Sequence, residues 1–209
     1  MGKEDKMMKN YICLNGQNIE LSDAQVAEMQ KSLGIGQVKL KDIPIGEPFK
    51  VGNYEFVVLE HSKETAAVIM RDLLHKEKQF GKNNNYENSD VDNICSEFGK
   101  EIADIVGENN LIEHTVDLTS DDGLKDYGKI RRKMSLLTTE LYRRYVETLD
   151  KHKIDAWWWL ATAHSTPSHN NSSWVKCVSP GGSINYDICS NDYGVRPFCI
   201  LNSNIFVSR

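Results

Sequence analysis

Residues 157–163 read Trp-Trp-Trp-Leu-Ala-Thr-Ala, a polar run covers 164–172, and 173–188 read Ser-Trp-Val-Lys-Cys-Val-Ser-Pro-Gly-Gly-Ser-Ile-Asn-Tyr-Asp-Ile. An aromatic strand followed by a hairpin turning at Pro180-Gly181-Gly182 is a packing device, and it decides the fold. Side chains alternate along a strand, so Trp158 faces away from Trp157 and Trp159, and at least one face is core. The closing segment, Gly194-Val195-Arg196-Pro197-Phe198-Cys199-Ile200-Leu201, adds a further strand.

Working upstream, Thr138 or Thr139 caps a helix that runs to Leu149, and Ser89 caps one of about fifteen residues. On the latter, Val91, Ile94, Cys95, Phe98, Ile102 and Ile105 share a face, and Gly107 stops it. Residues 50–59 alternate around a Gly52-Asn53 turn, 66–70 form another strand, and the polar stretch 76–89 reads as loop. Strands at both ends with helices between them define an α+β fold, with a twisted antiparallel sheet and two main helices in residues 39–209. Residues 1–38 read as a separate hairpin-helix leader. Asn15-Gly16 is a type I′ turn signal, and Ser22 with Gln25 forms a capping box. Val26, Met29 and Leu33 form the leader helix's apolar stripe, and Gly34 and Gly36 end it. The leader is expected to pack on the main domain or to mediate self-association.

Composition narrows the function. The net charge is -5 and the acidic excess lies in the middle of the chain, so no basic stripe offers itself to phosphates and nucleic-acid binding is disfavoured. No apolar run approaches the roughly 18–20 residues that cross a bilayer, and no h-region follows the N-terminal lysines; a cytoplasmic protein is expected. Five cysteines without a Cys-x-x-Cys pair argue against a metal knuckle, a redox dithiol or a planned disulfide set.

Four segments recur together in order: Gly46-Glu47-Pro48-Phe49-Lys50-Val51-Gly52-Asn53-Tyr54, Tyr86-Glu87-Asn88-Ser89-Asp90-Val91, Met134-Ser135-Leu136-Leu137-Thr138-Thr139-Glu140, and Trp158-Trp159-Leu160 with Gly194-Val195-Arg196-Pro197. Through them the chain, from about Lys39 onward, resembles an uncharacterised domain family of gut bacteria and their phages. The family is similar to C-type-lectin-like domains, including the formylglycine-generating-enzyme-like and retroelement-diversified binding proteins. The resemblance therefore implies a C-type-lectin-like α+β domain over 39–209. Where the family carries Arg-Ser-Pro after the aromatic strand, this chain has Ala161-Thr162-Ala163. The Glu-Pro-Asn or Gln-Pro-Asp triplet of calcium-dependent sugar binders is missing too; only Asn191-Asp192 is similar to their second ligand pair.

Chemistry is sparse. His164 and His169 sit in a Ser/Thr/Asn-rich loop without further metal ligands nearby in sequence, so no metal and no cofactor is expected. Cys177, Cys189 and Cys199 lie among apolar strand residues and read as core, and Arg196 beside Pro197 reads as a structural arginine. No phosphate-loop, zinc-protease or nucleophile-elbow motif occurs, and no catalytic residue is assigned. The reading that remains is a non-enzymatic, phage- or prophage-derived binding protein with a protein partner, for example an inhibitor of host defence. The alternatives are a formylglycine-generating-type cysteine oxidase and a carbohydrate-binding module. The binding surface is placed on Trp174 and Lys176, on Ser183, Asn185 and Asp187 facing away from the core, and on the loop residues His164, His169 and Asn170. Ile184, Tyr186 and Ile188 are expected to face inward.

Overall fold

In a computed structural model of the chain, residues 10–14, 17–32 and 36–209 are described. They divide into two compact units, 1–37 and 38–209. In the first, strands Asn10–Leu14 and Gln17–Leu21 pair antiparallel and precede the helix Asp23–Ser32. The expected turn at Asn15-Gly16, and Leu33 and Gly34, lie outside the described residues. The capping box is present in full: the Ser22 amide donates to Gln25 Oε1 at 2.9 Å, and the Gln25 amide to Ser22 Oγ at 3.3 Å.

The second unit is mixed α+β and mostly antiparallel. Its larger sheet carries, in spatial order, Met134–Ser135, Phe198–Asn202, Thr65–Met70, Tyr54–His61, Pro48–Val51, Phe206–Ser208 and Gln37–Lys39, with Leu111–Ile112 also paired to Phe198–Asn202. The smaller sheet runs Ile184–Ile188, Trp174–Val178, Trp158–Ala163, Asp192–Val195, His75–Gln79. Its ladder between Trp158 and Gly194 is parallel. A separate ribbon pairs His114–Asp117 with Lys129–Arg132.

Both faces of the central strand Tyr54–His61 and of the aromatic strand Trp158–Ala163 are covered, which explains their continuous apolar runs. Phe56 and Val58 join Phe98 and Ile102 of the helix Asp90–Val106, while Val57 and Leu59 join Tyr142, Tyr145 and Leu149 of the helix Thr139–Leu149. The aromatic strand splits likewise: Trp159 and Ala161 go to the first cluster, Trp158 and Leu160 to the second. Ser89 caps one helix by accepting from the Asp92 amide, and Thr138 caps the other by accepting from Leu141. Arg196 is 1% exposed, donates to the carbonyls of Met70, Arg71 and His152, and lies over Trp158. It stitches the closing segment to the core, and burial lowers its pKa to about 10.

Two expectations need correction. Within 76–89, residues through Gln79 belong to a strand, His75–Gln79, whose side chains are all exposed. Its ladder to Asp192–Val195 makes it a strand although no apolar alternation marks it. Ile105 lies on the same helix face as Phe98 and Ile102 but, near the end of the helix, is 43% exposed and stands outside the core.

Candidate binding surface

The hairpin 173–189 sets the geometry. Its ladder pairs Val175 with Asp187, Lys176 with Tyr186 and Cys177 with Asn185. Directly paired residues of an antiparallel ladder share a face. Val175 and Cys177 are fully buried, so Asn185 and Asp187 turn to the core side, and Tyr186 and Ile188 turn outward. This reverses the expected sidedness over 185–188, whereas Ile184, paired with Val178, packs partly buried against the second apolar cluster. Tyr186 is 50% exposed and Ile188 38%, whereas Asp187 is half-buried and accepts from the Tyr193 hydroxyl and from the Ile188 amide. Desolvation pushes the Asp187 carboxyl up, but hydrogen bonds from Tyr193, Ile188 and Asn191 outweigh it and hold the pKa low.

Lys176 is the second correction: it shares the outward face but is buried. Its ammonium donates to Asp121 Oδ2 at 3.0 Å and lies 5.4 Å from the Tyr186 ring centroid. Tyr186 thus becomes the centre of a small aromatic assembly. The His164 ring stacks on it at 4.1 Å and 11°, and Trp174, 40% exposed, meets it edge-on at 5.5 Å.

Loop 164–172 is built into this surface by carboxylates. Asp122 accepts from Ser120 Oγ, Ser165 Oγ and His169 Nδ1 at 2.5, 2.6 and 3.0 Å, and these bonds hold its pKa far below the usual carboxylate range. Asp126 accepts from Thr166 Oγ1 and the Ser168 amide. Beneath the loop, buried Asn84 donates to the carbonyls of Ser165 and Trp174 and accepts from the Tyr127 hydroxyl. Asn170 is exposed in a left-handed conformation at the end of the turn Pro167–His169. Ser183 is exposed at the hairpin turn with its amide on Ser179 Oγ.

Asp121 connects the aromatic assembly to a cleft of about 310 Å³. The cleft is lined by Asp117, Asp121, Glu140 and Arg143 and by the threonines at the start of the second helix. Arg143 reaches Asp121 Oδ1 at 3.3 Å. Hydrogen bonds from Lys129 and Thr119 hold Asp117 down to about 2, and each carboxylate of the cleft is paired with a cation: Asp117 with Lys129, Asp121 with Lys176 and Arg143, Glu140 with Arg144.

The structure therefore brings Trp174, Lys176 and His164 together, sends Asn185 and Asp187 to the opposite face, and places His169 on the loop latch. The sequence reading missed Tyr186, Ile188, Asp121 and Arg143. Among the described residues no group of three or more His, Cys, Asp or Glu is arranged to hold a metal ion. Cys95, Cys177, Cys189 and Cys199 are free and buried, and burial pushes the thiols of Cys95 and Cys177 up to about 12. No described helix is long and apolar enough to cross a membrane. Compared with protein-family models, curated proteins and solved structures, the chain matches none.

Proposed function

We propose that the chain is a non-enzymatic binding protein, phage- or prophage-derived, whose C-type-lectin-like domain over 39–209 recognises another protein through the surface around Tyr186. The observation that carries this reading is the exposed trio Trp174, Tyr186 and Ile188 on a rigid sheet beside a hydrogen-bonded polar loop. Aromatic anchors presented by a fixed scaffold are what protein recognition surfaces are made of. The cleft next to them, lined by ion-paired carboxylates, threonines and Arg143, supplies a polar rim beside the apolar anchor, and an inhibitor of a host-defence protein is one role such a surface suits. Buried cysteines with raised thiol pKa values give the cysteine-oxidase alternative little support, because that chemistry needs accessible thiolate.

Affinity capture from a bacterial host lysate, done in parallel with parent and Trp174→Ala protein, tests the reading. Truncating the anchor is expected to cost on the order of 2 kcal/mol of binding. Because Trp174 sits at the sheet's exposed margin, Tm should move by only a few degrees, about what a 1 kcal/mol change gives in a domain this size. Equal capture by a well-folded Trp174→Ala protein removes this surface from the proposal. Binding on a glycan array that Trp174→Ala abolishes would favour the carbohydrate alternative.

A further inference from the structure

The two edges of the five-stranded sheet are finished differently. One edge, His75–Gln79, carries Lys76, Glu77 and Lys78, all exposed, and such charges discourage another strand from pairing there. The other edge, Ile184–Ile188, carries a single charge, Asp187, which is engaged by Tyr193. Its outward side chains are Tyr186 and Ile188. Nothing in the side-chain chemistry of this edge opposes pairing.

Backbone direction says what the edge accepts. The Ser179 amide bonds the Ser183 carbonyl at 3.0 Å, and the Cys189 amide bonds the Ser173 carbonyl at 2.7 Å. These mark the hydrogen-bonded positions of the ladder, so 183, 185, 187 and 189 point their amides and carbonyls at strand Trp174–Val178. The peptide groups of 184, 186 and 188 point the other way. At 188 they are already used: the amide donates to Asp187 Oδ1 at 2.7 Å, and the carbonyl accepts from Asn191 at 3.0 Å, with one lone pair remaining. The amides and carbonyls of Ile184 and Tyr186 lie on the outer edge of the sheet, with no strand paired to them among the described residues.

The sequence of the strand names the occupant. Ile184-Asn185-Tyr186-Asp187-Ile188 is nearly its own mirror image about Tyr186. We propose that this edge pairs antiparallel with the same edge of a second copy of the chain, across a two-fold axis at Tyr186. Ile184 then lies opposite the second copy's Ile188, Tyr186 opposite Tyr186, and Asn185 opposite Asp187. The register places an amide beside each carboxylate and never two carboxylates together, and two apolar pairs flank an aromatic pair. Tyr186 exchanges both of its backbone bonds with its counterpart. Each Ile184 amide donates to the other copy's Ile188 carbonyl, giving four inter-strand bonds, while each Ile188 amide stays on its own Asp187. The smaller sheets join into one continuous sheet, and the two Trp174 surfaces lie on the same side of it. This self-association is independent of residues 1–38 and of any other partner.

Sedimentation equilibrium of the full chain tests it. The mass is expected to rise with concentration from 23.8 kDa towards twice that value. Tyr186→Pro removes a donor that faces away from the hairpin ladder and is expected to hold the chain at monomer mass with its circular dichroism unchanged. Tyr186→Lys, which leaves the backbone free, checks the same point by a gatekeeping charge if the proline variant does not fold. Asn185→Asp opposes two carboxylates twice per dimer and is expected to weaken association by about tenfold. Adding Asp187→Asn to Asn185→Asp restores the complementary pairs and the parent affinity. A chain that stays monomeric at every concentration overturns the proposal, as does a dimer indifferent to both Tyr186 variants. Failure of the folded double variant to recover overturns the register.

Discussion

His114 shows how one residue's environment reaches the stability of the whole unit. It sits on the ribbon strand, 8% exposed, with Nε2 on Ser135 Oγ at 2.9 Å and its ring edge-on to Phe198 at 5.3 Å. Burial makes the imidazolium costly and lowers the pKa from 6.5 to about 4. Between those values the unfolded chain holds a proton that the folded chain refuses, so stability falls as pH falls from about 6.5 to about 4. The full difference is about 3 kcal/mol at one pKa unit per 1.36 kcal/mol. Below pH 4 His114 adds nothing further, and the loss there comes from carboxylates such as Asp117, whose depressed pKa makes them stabilising only while ionised. Urea unfolding at a series of pH values should show the slope between pH 6.5 and 4 in the parent and a flatter one in His114→Gln, which retains a donor for Ser135. Parallel profiles for the two proteins would exclude His114 as the source.

At the scale of elements, the helix starts combine local and long-range chemistry. Ser89 satisfies the Asp92 amide, and Asp92, 1% exposed, accepts the Asn88 amide and a two-point contact from Arg132 at 2.9 and 2.7 Å. The cap itself is worth about 1 kcal/mol. Removing the carboxylate strands a mostly buried guanidinium, which costs about 3–5 kcal/mol. Chemical denaturation should therefore rank Asp92→Ala well below Ser89→Ala, and equal losses would show that Arg132 finds another acceptor. Caps of this kind were legible in the sequence because they depend on residues within one turn: Ser22 with Gln25, Ser89, and Thr138. The aromatic strand was legible because three tryptophans in succession demand two covered faces. The strand His75–Gln79 was not, since its pairing with Asp192–Val195 depends on residues more than a hundred positions away. The hairpin's sidedness failed for a reason contained in the sequence itself. Facing Val175 and Cys177 inward commits their ladder partners Asp187 and Asn185 to the same side and turns Tyr186 and Ile188 to the other, where only Ile184 reaches the second apolar cluster. Apolar residues on an edge strand read as core from composition alone, whereas the cross-strand constraint places Tyr186 at the centre of the surface. Asp121 and Arg143 were out of reach, because their meeting with Lys176 requires the loop, the second helix and the hairpin to be assembled first.

At the scale of the whole molecule, the packing among the described residues is that of residues 38–209. Among the described residues, the buried members of the two apolar clusters run from Leu40 to Val207, with Val38 packed against the first. The aromatic contacts that tie the helices to the sheets, such as Phe56 with Phe98 and Tyr142 with Trp158, are likewise internal to residues 38–209. A domain of this length buries enough surface to be stable alone, since about two thirds of the unfolded chain's area is removed from water at roughly 150 residues. A protein spanning 38–209 is therefore expected to unfold in a single cooperative transition with Tm within a few degrees of the full chain, a shift corresponding to about 1 kcal/mol. Calorimetry of both proteins measures this directly. The same pair of proteins separates two routes to self-association. If residues 1–38 carried it, the shortened protein would be monomeric where the full chain is not; if the edge Ile184–Ile188 carries it, both associate alike and both lose association on Tyr186→Pro. A broad, low-temperature transition in the shortened protein would mean that the first unit contributes to the fold of the second, and the surface around Tyr186 would then have to be studied only in the intact chain.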